Sequence, residues 1–366
     1  MNLKYYLWLN SIKGISSVHI SRLVNYFGDA KNVYENDDTQ LYKQISGIGD
    51  ITAANIAKNK DLGKIQEKLS YIEENGVKYI TYENEFYPSL LKEIYDAPPI
   101  LYYKGENLFK NASPSIAIVG ARNSNPYGNS VAHSIAKQLA ESGITVISGL
   151  ARGIDKSAHE GALEADGNTI AVLGNGIDVI YPRENAYLYD KITESQNMII
   201  SEFDPTLEPN NFLFPIRNRI ISGLSFGSLI IQASYSSGSL ITAKCALEQN
   251  REVYAVPGDI TNPLSAGSNQ LLKEGAKPVT CANDILEDLF NVLRPIAMPY
   301  EKPEMPELSD EEALVLNAVS EGINTPDSIS IKLNLSAQKI STIITMLELK
   351  QVLSVKMGVA YATCRR

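Results

Sequence analysis

The sequence predicts an α/β protein: a doubly wound parallel sheet at residues 75–290, helices before it and a winged helix after it. Three observations carry this. Short β-branched apolar runs alternate with stretches of helical length, as a parallel sheet covered on both faces requires. Three consecutive runs end in glycine. A stretch with four prolines and no periodic pattern, 291–307, then reads as a linker to a separate C-terminal segment.

The first run is 115–120 (SIAIVG), followed by a helical stretch over about 127–142. The second is 144–149 (ITVISG), with a helix over about 154–165, and the third is 169–174 (TIAVLG). Further strands are expected at 198–201, 228–232 and 252–256, with helical patterns between them. Upstream, 78–81 and 100–103 read as extra strands of the same domain, with a short helix around 88–94. Residues 1–70 are helical in pattern. Their second glycine turn, Ile45-Ser46-Gly47-Ile48-Gly49, precedes Asp50-Ile51-Thr52 and looks like a helix-hairpin-helix, in which backbone N–H groups at a helix start can meet a phosphate. A small bundle whose tight turns need glycine explains the same residues. After the linker, 308–366 predicts a winged helix. Ser309-Asp310-Glu311-Glu312 caps one helix, Thr325-Pro326-Asp327 opens a second and Ser336 a third, and 352–355 with 359–363 form a hairpin. The third helix carries only Lys339 and Lys350 as cations beside Glu348, which fits a protein contact at least as well as groove reading.

Composition narrows the function. The chain has 366 residues, 44% hydrophobic and 20% charged, with a net charge of −9. That excludes a disordered chain and argues against holding nucleic acid by bulk positive charge. Residues 112–290 hold 12 Lys and Arg against 19 Asp and Glu, so an anion site there must be built by placement. Cys245, Cys281 and Cys364 are too far apart for a disulfide framework or a CxxC metal site, and three histidines offer no metal cluster. No apolar run approaches membrane-span length, and the N-terminus has no secretory pattern, so a cytoplasmic protein is expected.

In an open parallel sheet, ligands bind outside the carboxyl ends of the strands. Past the three glycine-ended runs lie Gly120 and Arg122, then Gly149, Arg152 and Gly153, then Tyr181-Pro182-Arg183. These turns share one sheet edge, so Arg122, Arg152 and Arg183 line a rim beside glycines that let a ligand approach the backbone. Phe214, Arg217, Asn218 and Arg219 open a later helix. Ser237, Gly238 and Ser239 start another, with Thr242 and Lys244 in its first turns, as an anion cradle. Such a rim can hold several phosphates at about 3.4 Å per nucleotide step, with Phe214 as a stacking face. The alternative is that Asp155, Asp178 and Glu202 pair with these arginines and cancel their field.

Other chemistries fit less well. No G-x-G-x-x-G fingerprint or Walker A pattern is present. Gly223–Gly227 matches G-x-S-x-G, but a helical run precedes it and a strand follows, the reverse of a nucleophile elbow. His159 can meet Asp155 one helical turn back, a brace more than a catalytic pair.

Seven stretches carry a family resemblance: IVGARNSNPYG (118–128), SGLARGIDKSAHEGAL (148–163), NTIAVLGNGIDVIYPRENAYL (168–188), SEFDP (201–205), FPIRNRIISGLS (214–225), SGSLITAKCALE (237–248) and VPGDITNPLSAGSNQLLKEGA (256–276). With these the chain resembles the DNA-processing protein A (DprA/Smf) family. The resemblance implies an extended Rossmann-like core at 75–290, a helical helix-hairpin-helix or SAM-like domain at 1–70 and a winged helix at 308–366. It implies binding of single-stranded DNA without sequence preference, known catalysis, cofactor or metal. It also implies loading of the RecA recombinase onto incoming strands in natural transformation, bypass of single-strand binding protein, and a homodimer. Carried over by motif, Arg122, Arg183, Phe214, Arg217, Asn218, Arg219 and Lys244 line the DNA groove. The helix with Asn269, Gln270, Leu271, Leu272, Lys273 and Glu274 lies in the dimer and RecA region. Position 211 is Asn, where some members place a cation. The competing reading is a Rossmann-like hydrolase of nucleoside monophosphates, with Glu202 as its carboxylate.

Overall fold

The computed structural model describes residues 3–110, 113–293, 308–350, 352–356 and 359–362, and the chain divides into two compact units, 1–282 and 283–366. The first unit opens with six short helices: α1 (Leu3–Ser11), α2 (Ser17–Phe27), α3 (Ala30–Glu35), α4 (Thr39–Lys43), α5 (Asp50–Lys58) and α6 (Gln66–Glu74). Side chains start several of them: Asp29 accepts from the Asn32 N–H and Asp38 from that of Gln40. The first glycine turn packs on α5, the helix that follows the second: Gly14, at φ +92°, lies near Thr52, and Asn55 donates to the Lys13 carbonyl. At the start of α5 the helix dipole faces Asp50, itself paired with Lys43 at 2.5 Å.

The sheet follows. Its strands are β1 (Lys78–Thr81), β2 (Ile100–Gly105), β3 (Ser115–Val119), β4 (Thr145–Ser148), β5 (Thr169–Val172), β6 (Met198–Ser201), β7 (Gly227–Ile230), β8 (Glu252–Ala255) and β9 (Lys277–Pro278). They lie in the order β1-β2-β6-β5-β4-β3-β7-β8-β9. From β6 to β9 the pairing is parallel, while β1 and β2 add antiparallel strands at one edge. The expected doubly wound sheet is therefore present, with the expected upstream extension. The two-residue β9 has too little apolar character to be read from sequence.

The helices are α7 (Ser89–Lys92), α8 (Pro126–Glu141), α9 (Ile154–Glu164), α10 (Ala186–Glu194), α11 (Leu213–Gly223), α12 (Ser239–Glu248) and α13 (Ala266–Lys273). Chain order runs outward from β3 to β6, then returns through α11 to β7 on the other side of β3. Right-handed crossovers therefore put α8, α9 and α10 on one face and α11 and α12 on the other, and the direction reverses between β3 and β7. One apolar cluster runs from Leu3 and Trp8 through Ile80, Leu101 and Val172 to Ile230 and Leu271, so the N-terminal helices and the sheet share a core.

The second unit contains α14 (Ala282–Leu293), α15 (Asp310–Ser320), α16 (Pro326–Leu333), α17 (Ala337–Leu349) and an antiparallel hairpin of β10 (Leu353–Lys356) with β11 (Val359–Ala362). Ser309 and Glu312 form the capping box of α15. Val315, Ile329, Ile340, Leu347 and Leu353 make a separate small core. This is the expected winged-helix order. The helix α14 continues through 291–293, where the linker was expected to begin, and 294–307 lie outside the described residues, as do Gly358 and Thr363 of the expected hairpin. Lys339 of α17 is paired with Glu311, and Lys350, just past its end, with Glu312. No helix among the described residues is long and apolar enough to cross a membrane.

Helices α8 and α9 cross closely because Gly161 faces the backbone carbonyl of His133, where no Cβ fits. Gly161→Val should lower unfolding stability by about 1–3 kcal/mol, read as a lower urea midpoint; an unchanged midpoint would show that the crossing is loose.

Candidate nucleic-acid interface

Adjacent parallel strands bring the loops after β3, β4 and β5 side by side at one sheet edge, and the N-terminus of α11 meets them from the opposite face. A cavity of about 220 Å³ lies there, lined by Arg122, Asn123, Gly149, Ala151, Arg152, Leu173, Gly174, Asn175, Tyr181, Pro182, Phe214 and Arg217. It occupies the strand-carboxyl edge next to the reversal in winding, where open α/β sheets hold ligands.

Its centre is aromatic and cationic. The Arg122 guanidinium lies 4.8 Å from the Phe214 ring centre, and Tyr181 stacks on Phe214 at 5.7 Å with 27° between planes. Phe214 rests directly on Gly174, where a Cβ would collide with the ring. Arg122, Tyr181 and Arg183 are exposed, and among the described residues neither Arg122 nor Arg183 forms an ion pair. Tyr181 is the stacking partner that sequence reasoning passed over; an aromatic between a strand end and Pro182-Arg183 was the available signal.

Arg217 is different. It is only 4% exposed. Its Nη1 donates to the Gly149 carbonyl at 2.9 Å and to that of Val172, and its Nε donates to Asn218 Oδ1 at 3.2 Å. Burial pulls this guanidinium down to about 10, against the favourable pull of Asp155. Asp155 is also buried, accepting the Gly149 N–H at 3.1 Å, and burial raises its carboxyl while Arg217 opposes the rise. Arg217 thus borders the cavity as a brace between the ends of β4 and β5.

Arg219 lies outside the cavity lining, bound to Asp96 at 2.9 Å and to Glu202 at 2.5 Å. Arg152 borders the cavity but pairs with Glu184 at 2.5 Å. For Arg219 the alternative of pairing with Glu202 holds, whereas Arg152 is paired by Glu184, a carboxylate the sequence reading did not name. Asp178 instead pairs with Lys104 at 2.6 Å and accepts from the Tyr71 hydroxyl. Asn218 donates to the Gly238 carbonyl at 3.2 Å, tying α11 to the loop before α12. Ser237 in that loop and Ser239 at the start of α12 bond each other at 2.8 Å, while Thr242 is buried at 1% exposure. Lys244 extends into solvent, 3.8 Å from Glu248 and outside the cavity lining. Three of the glycines serve the protein's own packing, Gly120 against Ile154 and Gln232, Gly149 against the Arg217 guanidinium, and Gly153, at φ +74°, against Ala121 and Arg122, while Gly238 faces open space. In α13, Asn269 bonds the Gly258 backbone at 3.1 and 2.9 Å, Gln270 donates to Glu274, and Leu271 joins the core; Leu272 is half-buried, Lys273 is exposed, and Glu274 lies just past the helix end.

The catalytic alternatives lose their geometry. His159 does not meet Asp155. It is fully buried, its Nδ1–H donating to Thr169 Oγ1 at 2.7 Å while Thr169 donates to the Val146 carbonyl. Glu202 is bound to Arg219, and burial raises its carboxyl. Gly223–Gly227 joins α11 to β7, the order expected from the sequence and the reverse of a nucleophile elbow.

Burial, reinforced by Arg217, holds the His159 imidazole down at about 3, against an ordinary 6.5. The unfolded chain therefore takes up a proton near pH 6.5 that the folded chain refuses, and stability falls as pH drops from 6.5 towards 3. Between pH 6.5 and 5, wild type should lose about 1.6 kcal/mol more than His159→Gln in urea titrations, the slope rising from half of about 1.4 kcal/mol per pH unit to nearly all of it; parallel losses would refute a buried neutral imidazole.

Comparison with known proteins places this geometry. The family model for DNA recombination-mediator protein A matches residues 78–290, and that for the DprA winged helix domain matches 299–356. DNA processing protein DprA of Bacillus subtilis is 42% identical over 226 residues, covering 62% of this chain and 76% of the relative. Protein Smf of Escherichia coli is 45% identical over 225 residues, 62% of this chain and 60% of the relative. Among solved structures, DNA processing protein A of Streptococcus pneumoniae aligns with a TM-score of 0.67 at 36% identity, over 78% of this chain and 97% of its own. That of Helicobacter pylori, solved for its single-stranded DNA binding mode, aligns at 0.53 and 30% identity over 59% and 97%. With the sheet, the strand-end cavity and the winged-helix segment as far as β10 inside these matches, the chain belongs to the DNA recombination-mediator protein A (DprA/Smf) family.

Proposed function

We propose that the strand-end edge binds single-stranded DNA and that the protein is a recombination mediator, loading RecA onto incoming strands past single-strand binding protein during natural transformation. One observation carries the DNA part: the Arg122–Phe214–Tyr181 stack opens to solvent beside exposed Arg183. Aromatic faces accept any base, and arginines accept phosphate, so this arrangement holds a strand without reading base edges. Double-stranded DNA offers no unstacked base to Phe214, so single strands are favoured. The RecA and homodimer roles rest on the family resemblance, with α13 as the proposed contact region. The hydrolase reading has less support, because Glu202 is committed to Arg219 and no acid–base pair stands at the cavity.

The binding test is fluorescence anisotropy with a 20-nucleotide oligo-dT. Phe214→Ala should weaken binding about 5- to 100-fold, from the loss of one stacking contact. Arg122→Ala should weaken it for every sequence and lower the salt slope by about 0.7, one phosphate. Wild-type affinity in both variants would remove the site. Release of free base from nucleoside monophosphates would favour the hydrolase. For mediation, adding the full chain should shorten the lag of RecA assembly on a strand coated with single-strand binding protein; an unchanged lag would argue against it.

A further inference from the structure

A second cavity, of about 480 Å³, opens on the same strand-end edge, between the loop after β3 and the loop after β8. Asn125 and Tyr127 line it from one side and Gly258, Asp259 and Asn262 from the other. Arg122 and Asn123 line the first cavity, so at most about 7 Å of backbone separates Asn123 from Asn125. In the sheet the loop strands run in the order β5-β4-β3-β7-β8, so the second cavity carries the edge past the reversal in winding.

The two cavities differ in chemistry. The first offers arginines and aromatics. The second has no Lys or Arg in its lining, and its one ionised group, the Asp259 carboxylate, repels phosphate. What it offers is a ring. Tyr127 is 54% exposed, and among the described residues its side chain forms no hydrogen bond or ring contact. Its backbone is nonetheless fixed. Pro126 stands in the first turn of α8, Asn125 caps that helix by accepting the Gly128 N–H at 2.9 Å, and Gln232 Nε2 donates to the same Asn125 oxygen at 2.9 Å. A ring presented on a rigid turn loses little freedom when a base stacks on it. Both kinds of polar group stand around it. Asp259 Oδ1 is held by the backbone N–H and hydroxyl of Thr261, both at 2.8 Å, which leaves Oδ2 as an acceptor. Asn262 Oδ1 accepts from the Leu264 N–H at 3.0 Å, which leaves its Nδ2 as a donor. With donor and acceptor together, every base edge finds a partner, and the ring face does not distinguish one base from another.

We infer that Tyr127 is a second stacking platform for the same bound strand, taking a neighbouring base of any identity while the phosphates stay outside the cavity. This rests on the proposed strand binding and deepens it. The strand crosses the reversal in winding, held at Phe214 on one side and at Tyr127 on the other.

The experiment measures, by anisotropy on the full chain, the ratio of affinities for a 20-nucleotide oligo-dT and for a 20-mer of the same phosphates whose sugars carry no base. Tyr127→Ala should lower that ratio about 5- to 100-fold, the loss of one stacked base, and should do so equally with oligo-dC in place of oligo-dT. A loss of folded protein or of a phosphate contact moves both affinities together and leaves the ratio alone. Combined with Phe214→Ala, the two losses should multiply, as they do at independent sites. A ratio unmoved by Tyr127→Ala, or a double variant that binds oligo-dT as well as Phe214→Ala alone, would overturn the inference while leaving strand binding at the first cavity intact. No binding of oligo-dT by wild type would instead overturn the functional reading beneath it.

Discussion

The interface depends on one buried cation. Arg217 spans the ends of two neighbouring strands by donating to the Gly149 and Val172 carbonyls. A guanidinium removed from water is costly unless its donors are used and a counter-charge is close. The two carbonyls meet the first need and buried Asp155 the second. Phe214 precedes Arg217 by three residues on the same helix, so anchoring the arginine sets the height and rotation at which the Phe214 ring lands on Gly174. The exposed stack thus inherits its position from a group that water never reaches.

The same arrangement explains how an anionic chain can present a cationic spot. Much of the positive charge around the edge is already committed: Arg219 to Asp96 and Glu202, Arg152 to Glu184, Lys104 to Asp178 and Lys68 to Asp204. These pairs fix loops and leave little net field. What remains for a ligand is concentrated at Arg122 and Arg183 with two aromatic rings. The proposed strand binding would therefore lean on stacking more than on counterion release, as the net negative charge of the chain requires.

Much of this was legible in the sequence. Glycine-ended apolar runs located β3, β4 and β5 and put Arg122 and Arg152 at one edge, because strand alternation and crossover rules leave few other arrangements. Partner choice was not legible. Arg217 and Arg219 are two residues apart on one helix, yet one braces strand carbonyls and the other is taken up by two carboxylates. Nothing local distinguishes them, since Asp96 and Glu202 arrive from distant segments. For the same reason His159 was matched to Asp155 by helical spacing, although its partner, Thr169, comes from the next strand. Tyr181 was missed because a lone aromatic in a loop has no periodic signature.

The shared apolar core between the N-terminal helices and the sheet bears on how messages travel through the molecule. Helix α6 is also tied to the sheet region by the Tyr71 hydroxyl on Asp178 and by Lys68 on Asp204. Asp204 in turn belongs to the segment that supplies its carbonyl neighbourhood to Gly176, just past β5. Helices fastened in this way cannot swing aside like a tethered arm. A load placed on them passes instead, through Asp178 and Asp204, into the loops beyond β5 and β6.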